Sequence, residues 1–317
     1  MSVAITVLTG FLGAGKTTLL NRILNGDHGL RVGVLVNDFG SINIDAQLVV
    51  GVDANTMSLA NGCVCCEIRD DLVASVESLL ARPEAVEYVI LEASGVADPA
   101  GIFVTFNDSG LRDRIRLDSV TCVIDAEQVF AYPEYPPLMD LKLRQVGFAD
   151  MLILNKTNLA GPQHVALVKA WLSAHFNRLR IVEANYCDVP SEILLGVGRF
   201  DPARADQDRH EHAPSGVFEN WSYETNRPLS LDALRQAARK LPGNIYRVKG
   251  IIYTADSPDQ PAVLQVVGRR VDVSLQESWG AREPRTQIVA IGAAGSIDRG
   301  SLEKAFASCI WAVAATA

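Results

Sequence analysis

No stretch of this chain approaches the roughly eighteen uninterrupted apolar residues that a membrane helix needs, and the apolar tail CIWAVAATA is too short to span a bilayer. The N-terminal MSVAITVLTG has no basic region and no cleavage site, so no secretory signal is read there. Basic residues are in deficit, 29 Lys and Arg against 37 Asp and Glu, for a net charge of −8. That balance excludes a general nucleic-acid or anionic-membrane surface. Aromatic residues are few, and Trp221, Trp279 and Trp311 are expected in cores or interfaces, not on a base-stacking platform. Cysteine is scarce too. Of six cysteines, Cys63, Cys65 and Cys66 crowd into four positions, which is no disulfide framework and fits a reducing cytoplasm.

What the chain has is a recurring βα pattern. Val3–Leu8, Val32–Val36, Tyr88–Leu91, Val120–Ile124, Met151–Leu154 and Arg180–Ala184 are nearly continuous apolar runs. Parallel strands buried on both faces look like this. Between them, Ile68, Leu72, Val76, Leu79 and Leu80 share one helical face ahead of Pro83, and Val165, Val168 and Leu172 form a second stripe after Pro162. The pattern predicts an α/β, doubly wound, mostly parallel sheet over residues 1–198. The polar segment 199–216 reads as a linker. Its His210, Glu211 and His212, beside Asp206 and Asp208, read as a solvated tract with a weak metal-collecting alternative. Residues 217–317 read as a smaller α+β domain: an alternating FENWSYE, a helix over 229–241, strands over 244–254, 262–267 and 287–291, and a last helix over 301–310. FAYPEYPPLMD reads as a Pro-rich surface loop.

GFLGAGKT, residues 10–17, fits the phosphate-binding pattern G-x-x-x-x-G-K-[ST], with a strand before it and a helix after it. The glycines let backbone N–H groups curl around phosphates, and the helix N-terminus adds its positive end. Gly10, Gly13, Ala14, Gly15, Lys16, Thr17 and Thr18 are therefore the candidate nucleotide contacts. Lys16 reaches the β- and γ-phosphates, and the Thr17 hydroxyl holds Mg²⁺. The strand YVILEASGVADP ends in Glu92, an acid placed to orient the attacking water or to position Mg²⁺, and Gly95 can bring its N–H to the γ-phosphate. LILNKTN follows another buried strand and is similar to the N-K-x-D guanine-reading loop, with Asn155 and Lys156 in place and Asn158 where that loop has Asp. A neutral amide cannot make the charge-assisted pair of bonds that a carboxylate makes to guanine. GTP is expected to remain preferred, less strictly.

GFLGAGKTTLLNRIL, NDFGSINID, NGCVCC, LEASGVADP and LNKTN occur in the order and approximate spacing of the CobW family of P-loop GTPases, which the whole chain resembles. It departs from the family at Asn158, and at Asp38, where the family more often has Glu. The resemblance implies slow GTP hydrolysis and the handling of zinc, cobalt or another transition metal, with links to cobalamin synthesis. It places Asp38 in the switch region, beside the catalytic candidates Lys16 and Glu92.

Soft thiolates such as Cys63, Cys65 and Cys66 select Zn²⁺ or Co²⁺ over Mg²⁺. In an extended segment Cys63 and Cys65 share a face and Cys66 points away, so three thiolates on one ion require a turn, and two or three ligands both stay open. Asp38 is a candidate for a further position. A structural reading, three cysteines as small hydrophobes, and a redox reading through Cys63–Cys66 compete with metal binding. The expected function is a GTPase that delivers a transition metal to an apo-metalloprotein client, or supports metallocofactor assembly in it. The alternative is a switch that binds metal and nucleotide and acts through partners without delivery. The second domain is expected to recognise the client or to mediate self-association as a homodimer.

Overall fold

The computed structural model describes residues 2–36, 56–58, 67–81, 86–102, 114–176, 179–195, 218–268, 270–276, 278–280, 283–293 and 295–311. The chain divides into two compact units, Met1–Val197 and Gly198–Ala317.

Among the described residues the first unit has seven strands: β1 (Val3–Thr9), β2 (Val32–Val36), β3 (Thr56–Ser58), β4 (Tyr88–Glu92), β5 (Ile115–Asp125), β6 (Met151–Asn155) and β7 (Ile181–Glu183). Their order is β3-β2-β4-β1-β5-β6-β7, and every pairing is parallel. The apolar runs are continuous because both faces are covered: β2, β4 and β6 are buried at every position. Among the described residues the unit also holds helices α1 (Lys16–Leu24), α2 (Glu67–Leu80), α3 (Pro136–Phe148), α4 (Thr157–Ala160), α5 (Pro162–His175) and α6 (Ser191–Leu194). Leu72, Val76 and Leu79 of α2 pack with Leu35, Val86 and Val89, while Val165, Val168 and Leu172 of α5 pack with Leu152 and Leu154. Each such side chain contributes roughly 1.5–3 kcal/mol by leaving water.

Register brings the functional ends together. Glu92 lies beside Leu8 on one side and Val36 on the other, and Asp125 lies beside Asn155. The carboxyl ends of β4, β1, β5 and β6 therefore form one rim, where open parallel sheets hold their ligands.

The second unit has a five-stranded antiparallel sheet, β11-β10-β9-β12-β8, from β8 (Phe218–Thr225), β9 (Ile245–Ile252), β10 (Ala262–Val267), β11 (Arg270–Leu275) and β12 (Thr286–Ala293). Helices α7 (Leu231–Arg239) and α8 (Arg299–Ala307) share its core, in which Trp221 stacks on Phe306 and Leu234 and Leu302 are buried. The smaller domain is α+β, as expected.

Some local readings change. Pro136 and Pro137 open helix α3 at its first positions, where no N–H is needed, so the Pro-rich segment ends in a helix and is not wholly a loop. The helix expected over 229–241 starts after Ser230, whose side chain caps it by accepting from the Ala233 N–H. Leu229 instead bridges to Thr254 and Ile310. The last helix starts two residues earlier, capped by Asp298, and ends at Ala307. Strands β3 and β11 were not anticipated. Trp221 and Trp279 are buried, whereas Trp311 is 47% exposed. No described helix is long and apolar enough to cross a membrane.

Candidate nucleotide site

The turn after β1 depends on glycine at defined points. Gly10 has φ +133, and a Cβ there would lie 2.2 Å from Val123 O on β5. Gly13 (φ +73) and Gly15 (φ +114) also take the left-handed conformations that L side chains avoid. The Ala14 N–H closes the turn onto Phe11 O at 3.2 Å. Gly15 caps α1, so its first residue, the buried Lys16, stands at the positive helix end with Nζ 3.5 Å from Phe11 O. Thr17 Oγ1 donates to Glu92 Oε1 at 2.7 Å, linking the P-loop helix to the tip of β4. Gly95 lies against the P-loop from that side: a Cβ on it would come within 2.6–3.0 Å of Leu12. Thr18 is exposed on the first turn of α1 and lines a surface hollow with Arg22 and Asp188.

The loop after β6 is tied to the same turn. Asn155, only 2% exposed, donates from Nδ2 to Ala14 O at 2.9 Å and accepts the Cys187 N–H on Oδ1 at 2.9 Å. Lys156 is left-handed (φ 61), and its ammonium pairs with Asp125 Oδ2 at 2.7 Å. Asp125 is held in turn, its Oδ1 accepting from the Glu127 and Gln128 N–H groups. Asn158 is exposed, and its N–H donates to Asn185 Oδ1, which also accepts from Thr157 Oγ1, both at 2.8 Å.

Cys187 is fully buried with φ 54 and donates from Sγ to Gly15 O at 3.3 Å. Burial pushes its thiol up to about 12 against the lowering pull of Arg22 and Lys156. It packs against the P-loop turn as a small buried donor. Cys122 is likewise pushed up to about 12 by burial, opposed by Lys16, and Cys309 is buried against Ala305 O.

The structure therefore brings together Gly10, Gly13, Ala14, Gly15, Lys16, Thr17, Glu92, Gly95, Asn155 and Lys156, while Asn158 stands at the open edge of the base loop. Asp38, Cys63, Cys65 and Cys66 lie outside the described residues, as does the segment 199–216 with its histidines. Helix α2 begins at Glu67, the residue after Cys66. Among the described residues no group of three His, Cys, Asp or Glu is placed to hold a metal ion. Sequence reasoning missed three site residues. Asp125 had a readable signal, an acid ending an apolar strand run just as Glu92 does. Asn185 and Gln145 had none, because their contacts come from distant segments.

A seven-stranded parallel sheet whose first strand leads into this phosphate loop, with an Asn-Lys loop at its rim, defines a P-loop GTPase. Residues 4–183 match the CobW/HypB/UreG nucleotide-binding domain, and residues 218–310 match the cobalamin synthesis protein cobW C-terminal domain. The chain belongs to the CobW family. It is 29% identical over 330 residues to a zinc chaperone CobW of Sinorhizobium, covering 90% of this chain and 92% of the relative. It is 30% identical over 328 residues to a zinc chaperone CobW of Pseudomonas aeruginosa, covering 91% and 87%. To a zinc-regulated GTPase metalloprotein activator 1 of Dictyostelium discoideum it is 29% identical over 325 residues, covering 87% and 68%.

Proposed function

We propose that this chain is a metallochaperone GTPase: it carries a transition metal, zinc in the first instance, and hands it to an apo-metalloprotein client under control of GTP hydrolysis. The observation that carries the reading is the Thr17–Glu92 hydrogen bond at the nucleotide rim, together with a Cys-Val-Cys-Cys run between β2 and α2 in the same unit. The rim is where a P-loop protein responds to the γ-phosphate, and soft thiolates coupled to it would let nucleotide state act on a bound metal. The relatives' names, zinc chaperone and metalloprotein activator, support the same direction.

At the phosphate end, Lys16 and the turn of Gly10, Gly13, Ala14, Gly15, Thr17 and Thr18 hold the triphosphate, and Gly95 offers its N–H to the terminal phosphate. The hydroxyl of Thr17 and the carboxylate of Glu92 are hard oxygen donors 2.7 Å apart, a donor set that fits Mg²⁺. When bound, Mg²⁺ would neutralise phosphate charge during transfer. Glu92 and Asp38 orient the attacking water. At the base end, Asn155 holds the pocket walls, Lys156 lies over the base and Asn158 meets its edge. Cys63, Cys65 and Cys66, with Asp38, receive the cargo in a reducing cytoplasm, and Co²⁺ suits the same thiolates. Residues 199–216 join this GTPase domain, 1–198, to a client-recognition domain, 217–317.

The test is metal binding by the reduced protein with GDP, with a non-hydrolysable GTP analogue and with neither. About one Zn²⁺ or Co²⁺ per chain is expected, with a thiolate charge-transfer band for Co²⁺, both lost on changing Cys63, Cys65 and Cys66 to Ala. A nucleotide effect on metal affinity below about twofold would sink the coupling.

A further inference from the structure

Helix α3 carries no nucleotide motif, yet its buried face reaches three loops of the site. Lys142 Nζ donates to Gln128 O and Val129 O, after β5, and stands 4.9 Å from the Phe11 ring centroid in the P-loop. Gln145 is 1% exposed, and its Nε2 donates to Gly95 O at 3.1 Å and Ala97 O at 3.2 Å, so both amide hydrogens are used. Arg144 pairs with Asp98 at 3.0 Å. One turn of α3 thus holds the segment 95–98 by three side-chain bonds. On its other side the segment meets the P-loop, since Gly95 leaves no room for a Cβ before Leu12. It begins three residues after Glu92, which accepts from Thr17.

We propose that Gln145 is a positioning residue for GTP hydrolysis: it fixes the Gly95–Ala97 segment against the P-loop, so that Glu92 and Gly95 meet the terminal phosphate in one geometry. This rests on the reading of Glu92 and Gly95 given above. The carboxamide is the side chain suited to the task, because its two N–H groups diverge in a plane and match two carbonyls of one turn. Met at this position keeps the volume and loses both donors. Glu would turn oxygen lone pairs toward the two carbonyls. Because the segment serves the γ-phosphate, which GDP lacks, its displacement affects rate and leaves GDP binding alone.

The experiment compares single-turnover GTP hydrolysis, GDP affinity and thermal melting in the full-length chain, its Gln145→Met variant and its Glu92→Gln variant. Gln145→Met is expected to slow hydrolysis about 10- to 100-fold while GDP affinity stays within about twofold. Normal hydrolysis by folded Gln145→Met, with Glu92→Gln impaired, overturns the proposal and leaves the reading of Glu92 standing. Normal hydrolysis by both overturns both. Parallel loss of rate and GDP affinity makes Gln145 a packing residue and also overturns it. If Gln145→Met does not fold, Gln145→Asn, one methylene short of the carbonyls, must show the same split, and its absence overturns the proposal.

Discussion

In the proposed base pocket, Asn158 is where a single atom would decide which base is read. Its N–H is held by Asn185, so the loop keeps its path whatever side chain stands there. A carboxylate accepts from two guanine N–H groups with full charge, whereas the amide accepts with one oxygen and turns a donor toward the other partner. Charge-assisted bonds exceed neutral ones by about 1 kcal/mol, so Asn158→Asp should tighten GTP binding about fivefold. Xanthine presents an oxo group where guanine has its 2-amino group, so the wild-type amide should discriminate weakly between GTP and XTP and the Asp variant strongly. Competition binding with the two nucleotides measures this, and an unchanged ratio would remove Asn158 from the base edge. Asn155 shows the other side of residue-level reading. Its position was legible from LNKTN, but its chemistry was not: both ends of its amide are committed to the backbone of Ala14 and Cys187, so it builds the pocket.

Among the elements, legibility followed the hydrophobic signal. β2 was readable to the residue because an unbroken apolar run has one solution between two covering layers, and β10 because only Gln265 interrupts its run. β3 is three residues long and β11 is half-exposed along most of its length, so neither has such a run. α3 hid behind Pro136 and Pro137, which signal a loop until one asks whether they open a helix. The same logic gives a test of α2. Leu79 is fully buried and sits over Gly33, whose missing Cβ makes its space, since a Cβ there would lie 2.6 Å from Leu79 Cδ2. Leu79→Ala should destabilise the first unit by about 2–5 kcal/mol. Glu77→Ala on the same helix loses only a half-exposed 3.7 Å pairing with Arg114 and should stay within about 0.5 kcal/mol. Denaturant melts of the two variants separate these cases, and equal costs would contradict the packing assigned to α2.

For the whole molecule, the two units have separate cores, one wrapped around a parallel sheet and the other between an antiparallel sheet and two helices. Calorimetry should therefore resolve two transitions. The matched nucleotide-binding domain lies within the first unit, so a hundredfold excess of GDP over its Kd should stabilise that transition by about 2.7 kcal/mol and leave the other in place. A single transition that moves as a whole would show that the units melt as one. The sequence expectation divided the chain at the polar segment 199–216, after which FENWSYE alternates. The meeting of Gln145 with Gly95 was not visible, because a glutamine on a helix looks the same whether it faces water or a loop fifty residues away.

The amide of Asn155 has a further consequence, in the order of events by which the chain becomes competent. Its two bonds reach across 141 and 32 residues, to the P-loop and to the loop after β7. They join segments that only the finished sheet brings together, the end of β6 with the turn after β1 and with the loop after β7. A chain with β6 or β7 unplaced therefore has no such walls to offer a nucleotide. Nucleotide binding then acts as an inspection of the finished sheet, and slow hydrogen exchange at the Cys187 N–H would be its stamp.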